Sequence, residues 1–334
     1  MGRMMKISVL GAGAWGTALA ISLAPRHQVT LWARDAQQAE AMQTSRVNQR
    51  YLPNIEFPQA LLLSADFDAA VSDADLLIVA VPVSSLRGIL QRIVAFAIAK
   101  PVIWLCKGFE AKTSLLPHQI VADVLPDDFP RAVLSGPSFA QEVAHGLPTA
   151  LTLASRDLAF AQGIAQALHH TRLRIYSCSD VVGVEVGGAI KNVLAIAAGI
   201  SDGLHLGYNA RAALLTRGLA EMTRLGLSLG GKAETLGGLS GAGDLILTCT
   251  GDLSRNRKVG MLLAEKRALP DILSTLGHVA EGVYTAREVH EVAQRQAVDM
   301  PICEAVYRVL YEQLAADKAS EGLLSRQPSD EFIR

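Results

Sequence analysis

Hydrophobic positions in the first half of the chain come in short, nearly unbroken runs separated by segments of helical length. Residues 7–10, 28–34, 61–64, 75–82, 102–106, 132–135, 150–154 and 174–176 each predict a strand. Intervening segments such as 86–97 and 158–169 predict helices. Strands that are apolar on both faces belong in a sheet covered on both sides, so this rhythm predicts a doubly wound, mainly parallel α/β sheet. From Val181 the strand signals fade, and helical periodicity predicts helices over 184–200, 210–225, 260–265, 282–295 and 301–314. The pattern divides the chain into 1–182 and an all-helical 183–334, with the polar stretch 319–334 expected on the surface.

The first strand-to-helix junction adds chemistry. Gly11, Gly13 and Gly16 fit G-x-G-x-x-G between the apolar run 7–10 and an apolar helix. In such a turn the first glycine permits a sharp bend, the second lets backbone approach a pyrophosphate, and the third lets helix and strand pack closely. The helix start then presents free N–H groups and partial positive charge to phosphate. With 28 glycines in the chain the triplet alone is weak, but strand, helix and second strand complete a βαβ unit. Residues 1–182 are therefore expected to be a Rossmann-type dinucleotide-binding domain.

The second strand ends Trp32-Ala33-Arg34, where an NAD-only site places an acidic residue. An arginine fork suits a 2′-phosphate, so NADPH/NADP is the expected cofactor, with NADH/NAD open through Asp35. The plainer reading of Arg34 is a solvated charge at a strand end. Arg3 and Lys6 ahead of an apolar stretch containing Ala18-Leu-Ala20 also outline a secretory signal. Against this, a signal needs no glycines at fixed turn positions, and losing residues 1–20 would strip the second strand of its partner. Met4 and Met5 are alternative starts.

At 334 residues, 50% hydrophobic and 19% charged, the chain can build two cores. Its 31 basic and 32 acidic residues leave no electrostatic footprint for nucleic acid. No run of about 18 apolar residues is free of charges or breakers, so no membrane span is expected. Cys106, Cys178, Cys249 and Cys303 form no C-x-x-C pair and read as thiols of a reducing cytoplasm. No histidines pair at metal spacing, and adjacent His169 and His170 point different ways on a helix, so no metal is expected. The many apolar positions of the helical half predict a homodimer.

Lys191 and Asn192 interrupt the very apolar segment 184–200. A buried ammonium is costly without a partner and loses basicity when desolvated, which makes Lys191 an acid/base candidate. The alternative is a lysine that snorkels to solvent. Asp244, after the glycine-rich turn 239–243, either caps a helix or pairs with Lys191. Ser254-Arg-Asn-Arg-Lys258 reads as a phosphate grip or as a solvated basic patch. Lys107 and Ser138 follow the carboxyl ends of predicted strands, where ligands of open α/β sheets bind.

Together, Gly11-Ala-Gly-Ala-Trp-Gly-Thr-Ala-Leu-Ala, Cys106-Lys-Gly-Phe-Glu, Ser135-Gly-Pro-Ser-Phe-Ala, Gly188-Ala-Ile-Lys-Asn-Val, Leu239-Ser-Gly-Ala-Gly-Asp-Leu, Ser254-Arg-Asn-Arg and Val279-Ala-Glu-Gly resemble the bacterial NAD(P)-dependent glycerol-3-phosphate dehydrogenases. The likeness runs from Val9 to about Arg308, and motifs in this order are far more specific than the glycine turn. It implies reduction of dihydroxyacetone phosphate to sn-glycerol 3-phosphate for phospholipid synthesis, with Lys191 as proton donor and acceptor. It further implies that Lys107, Gly136, Ser138, Asp244, Ser254, Arg255 and Asn256 contact the phosphorylated substrate, with Asn192 and Asp244 orienting Lys191. Ala14, Trp15, Arg34, Lys107, Ala140, Arg255, Val279 and Glu281 would line the cofactor beside Gly11, Gly13 and Gly16. The family often has Ser at position 14 and a second valine at position 280, so a hydroxyl contact to phosphate is lost here. Two rivals remain at this stage: a dehydrogenase of another hydroxyacid, and a non-catalytic nicotinamide sensor.

Overall fold

The computed structural model describes residues 4–96, 99–276 and 280–326. Its strands are β1 (Lys6–Leu10), β2 (Gln28–Trp32), β3 (Val47–Asn48), β4 (Leu52–Glu56), β5 (Leu62–Ser64), β6 (Leu76–Val79), β7 (Val102–Trp104), β8 (Arg131–Ser135), β9 (Thr149–Ala154) and β10 (Leu173–Cys178). Among the described residues eight of these form one sheet, ordered β10-β9-β8-β7-β6-β1-β2-β5. Every neighbouring pair is parallel except β8 and β9, which run antiparallel. β1 lies between β2 and β6, with Ile7–Leu10 in register with Leu76–Val79. All four residues of β6 are fully buried, as helices on both faces require. The chain reverses direction across the sheet at β1, and the glycine turn leaves from that point, where open α/β sheets bind ligands.

β10 ends at Cys178, and three residues later the longest helix begins, Val181–Gly203. Asp180 caps it by accepting from Gly183 N at 2.9 Å. Twenty of its 23 residues are buried, which makes it the axis of the helical half. By length and composition it could cross a membrane, but 94% of the apolar window is buried inside the protein. Ile190, Val193, Leu194 and Ile196 lie within the second core, each contributing about 1.5–3 kcal/mol by burial. The helix Arg255–Ala264 crosses it at very short range. A Cβ on Gly260 would stand 2.0 Å from the Ile196 carbonyl oxygen, and one on Gly199 only 1.9 Å from that of Arg257. Only glycine at both positions permits the crossing.

Several boundaries differ from the sequence reading. The hairpin of β3 and β4 lies in a stretch where no strand was expected. The helix expected over 86–97 runs Val83–Val94, and Ala97 is outside the described residues. The helix expected to reach His169 ends at Leu168, and His170 instead bonds through Nε2 with Ser22 Oγ at 3.0 Å. These two histidines therefore lie past the helix, not on it. The segment expected to be a polar surface tail includes the end of a helix, Ala316–Leu324, which buries Ala316 and Ala319.

Candidate functional site

The glycine turn is shaped by three different demands. Gly11 has φ +130°, a conformation that glycine alone adopts readily. A Cβ on Gly16 would lie 2.1 Å from the Gly11 carbonyl oxygen, so the turn and helix approach as closely as backbone allows. Gly13, at the start of the helix Ala14–Leu23, faces open space with no atom within 4 Å of an added Cβ. This cradle at a helix N-terminus fits a dinucleotide pyrophosphate, and Ala14 and Trp15 lie on the first helical turn beside it. Arg34 is exposed just beyond β2. Asp35 caps the next helix, accepting from Gln37 N at 3.0 Å.

Across the sheet, Lys107 follows β7 and Lys191 lies mid-way along the core helix, and both reach one carboxylate. Lys107 Nζ donates to Asp244 Oδ2 at 2.6 Å, and Lys191 Nζ donates to Asp244 Oδ1. Asp244 is 1% exposed and Lys191 8%, so the snorkelling reading of Lys191 does not hold. Asp244 is the first residue of the helix Asp244–Thr250, entered through a π-helical turn at Leu239–Gly243, but its side chain serves the lysines. Burial pushes the Lys191 ammonium down to about 8; the Asp244 charge opposes this and the Lys107 charge adds to it. Burial alone would raise Asp244, yet the two ammonium groups outweigh it and hold the carboxyl below its ordinary value. Two positive charges thus share one negative charge in a dry site, leaving a net cation where an oxyanion or phosphate could be met.

The phosphate-gripping candidates surround the same helix. Ser254 caps the helix Arg255–Ala264 by accepting from Arg257 N at 3.3 Å. Arg255 is exposed on its first turn. Asn256 is buried: its Nδ2 donates to Asn192 Oδ1 at 3.0 Å, and its Oδ1 accepts from Gly282 N at 3.0 Å. Arg257, in contrast, is taken up by Asp202 and Asp252, so the basic patch is partly an ion-pair network. Gly136 (φ +135°) and Ser138 form the turn after β8, with Ser138 Oγ donating to Gly136 O at 2.9 Å. Ala140 opens the next short helix, and Glu281 opens Glu281–Gln296. Val279 lies outside the described residues.

Two polar groups of this site were missed in the sequence reading. Thr248 Oγ1 approaches Asp244 Oδ1 at 3.3 Å and donates to Asp244 O at 2.6 Å, one turn along the helix. Only the i, i+4 spacing from Asp244 could have signalled it. Ser135 Oγ is buried without a partner beside Gly188 and the Lys107 stem. Cys249 is a buried thiol pushed up to about 12 by burial, so it stays protonated and inert.

Comparison with known proteins agrees over both halves. Residues 6–161 match the model of the NAD-dependent glycerol-3-phosphate dehydrogenase N-terminus, and 180–321 match that of the C-terminus. The glycerol-3-phosphate dehydrogenase [NAD(P)+] of Thiobacillus denitrificans is 60% identical over 98% of this chain and all of that relative. That of Nitrosomonas eutropha is 59% identical, over 98% of this chain and 99% of the relative. The crystal structure of glycerol-3-phosphate dehydrogenase from Coxiella burnetii superimposes with a TM-score of 0.93 at 44% identity, covering 97% of this chain and 99% of that one.

Proposed function

The chain belongs to the NAD-dependent glycerol-3-phosphate dehydrogenase family, and on that premise we propose that Lys191 is the proton donor and acceptor of a dihydroxyacetone phosphate/sn-glycerol 3-phosphate interconversion. The chain is an NAD(P)-dependent oxidoreductase. In this reading residues 1–182 hold the dinucleotide, and 183–334 hold the substrate and the proton donor. NADPH, or NADH, when bound supplies the hydride that adds to the keto carbon.

Negative charge then develops on the former keto oxygen. The Lys191 ammonium stabilises it and transfers its proton, leaving a neutral amine that bulk solvent recharges. Asp244 aims Lys191 and keeps it charged at neutral pH, and Asn192 borders it on the same helix. Lys107, Arg255, Asn256, Ser254, Gly136 and Ser138 grip the phosphate, so binding energy remote from the carbon fixes its position. The observation that carries this reading is the Lys107–Asp244–Lys191 bridge, buried at the carboxyl end of β7. A sensor without catalysis has no use for a desolvated lysine held this way.

Glycerophospholipid synthesis in the cytoplasm is the cellular setting this reading favours. The homodimer reading draws support from the helical half, which leaves Tyr208 83% and Leu227 51% exposed.

The test is loss of NADPH absorbance with dihydroxyacetone phosphate and with plain 2-keto acids. Turnover is expected with the first alone, and Lys191→Ala should lower it by about 100-fold or more. Near-normal turnover in Lys191→Ala removes Lys191 from the reaction. Equal rates with a plain keto acid redirect the substrate assignment.

A further inference from the structure

The hairpin of β3 and β4 has an assignment that the glycine turn itself does not reveal. Asn48, at the end of β3, is 1% exposed and has both ends of its amide engaged. Its Nδ2 donates to Ala12 O at 3.0 Å and to Thr17 Oγ1 at 2.9 Å, and its Oδ1 accepts from Tyr51 N at 3.3 Å. Ala12 is the residue between the first two glycines of the turn. Its carbonyl accepts a second side-chain bond from Gln38 Nε2 at 3.2 Å. Two amides from separate elements therefore grip one carbonyl of the phosphate loop.

We propose that Asn48, assisted by Gln38, is a positioning residue for the cofactor pyrophosphate: by holding the Ala12 carbonyl away from the site it turns the Gly13 N–H toward it. The peptide between Ala12 and Gly13 is planar and trans, so its N–H points opposite to its carbonyl. Pinning one fixes the other. The open space on the Gly13 side is the room the pyrophosphate requires. The Thr17 contact fixes the same amide against the first helical turn, so loop and helix start are set as a unit. The hairpin is itself fastened: Arg46 donates from Nη2 to Pro58 O at 2.6 Å and Leu61 O at 3.0 Å, and Phe57 N donates to Arg46 O at 2.8 Å. An amide N–H is required at position 48, because the Ala12 carbonyl can only accept and a carboxylate would repel it.

This inference rests on the dinucleotide reading of the turn. The experiment titrates the quenching of tryptophan fluorescence by NADPH in the full chain and in Asn48→Ala, Asn48→Asp and Gln38→Ala. Dihydroxyacetone phosphate KM at saturating NADPH and the cofactor-free Tm are measured beside it. Asn48→Ala should raise the NADPH Kd about tenfold and Asn48→Asp more, as loss of an ordinary hydrogen bond implies. Gln38→Ala should raise it about threefold, since one of two bonds on the carbonyl is lost. The KM should move less than about twofold, since the defect lies in cofactor binding. An unchanged Kd, or a KM that moves in step with it, overturns the assignment. If Asn48→Ala does not fold, Gln38→Ala decides, and an unaltered Kd there overturns the proposal. Failure of the family reading looks different: the unsubstituted chain then gives no NADPH titration at all.

Discussion

Asp244→Asn tests the electrostatics of the buried bridge most directly. Asp244 faces the Lys107 and Lys191 ammonium groups from a nearly water-free position. Opposite charges about 4 Å apart contribute about 4 kcal/mol at an effective dielectric near 20, and about 1.4 kcal/mol corresponds to one pH unit. Removing the Asp244 charge should therefore move the Lys191 titration acidward by about two to three units from its value of about 8. Before the change, about nine in ten molecules hold the Lys191 proton at about pH 7, and afterwards about one in ten or fewer. With Lys191 as the proposed proton donor, reduction needs the ammonium, so its kcat at neutral pH should fall about tenfold from this cause alone and recover as the medium is acidified. Oxidation needs the free amine, so the rising limb of its pH profile should move acidward in parallel. The assay is kcat for NADPH consumption at saturating substrates between about pH 4.5 and about 9.5, a window that reaches both titrations. A uniform fall in kcat with an unmoved limb would refute the charge argument and leave Asp244 a purely geometric support.

Other expected outcomes follow from contacts on the page. Gly13→Ala should keep the Tm but abolish NADPH binding, because the methyl group meets no protein atom yet occupies the pyrophosphate approach; Gly16→Ala should lose both, because its Cβ would overlap the Gly11 carbonyl. Normal NADPH affinity in Gly13→Ala contradicts this. Arg34→Ala should weaken NADPH by about tenfold or more while NADH changes little, the loss expected of a charge-assisted bond to a 2′-phosphate; an equal effect on both cofactors assigns Arg34 to solvent. Glu221 accepts from Ile302 N and Cys303 N, and burial pushes its carboxyl up to about 7. Folding therefore takes up a proton between the ordinary carboxyl value of 4.5 and about 7, and stability falls as pH rises through that window. Glu221→Gln, which cannot titrate, should gain on the parent in urea midpoint across it and run level above; parallel lines throughout would exclude the linkage.

The strands were legible because central parallel strands must be apolar on both faces, and Leu76–Val79 has no polar residue to obscure it. Direction was not legible, since β9 looks the same whether it runs with or against β8. The β3 and β4 hairpin escaped because it is short and presents Asn48, Gln49, Arg50, Pro53 and Asn54, with few apolar residues to count. In the site, Lys191 was legible because a lysine inside an apolar run conflicts with its surroundings. Lys107 as a second partner of Asp244 was not, because 137 residues separate them and nothing local marks the meeting.

What the sequence pattern left open was how the two halves agree on geometry. Hydride and proton must reach adjacent atoms of one small substrate, although the glycine turn and Lys191 belong to different cores. Two tethers between the halves, and one link within the helical half, set that agreement. Trp104 Nε1, at the end of β7, donates to Glu185 Oε1 at 2.7 Å, fixing the sheet against the core helix near Lys107. The Lys107–Asp244–Lys191 bridge joins the same strand end to Lys191, the proposed proton donor. Within the helical half, Asn256 joins Asn192 to Gly282, so the helix that begins at Glu281 is held to the residue next to Lys191. Each tether is a buried polar contact, costly to leave half made. A shift of one half against the other would break both cross-half tethers together, so polar groups between the two halves hold the site's geometry.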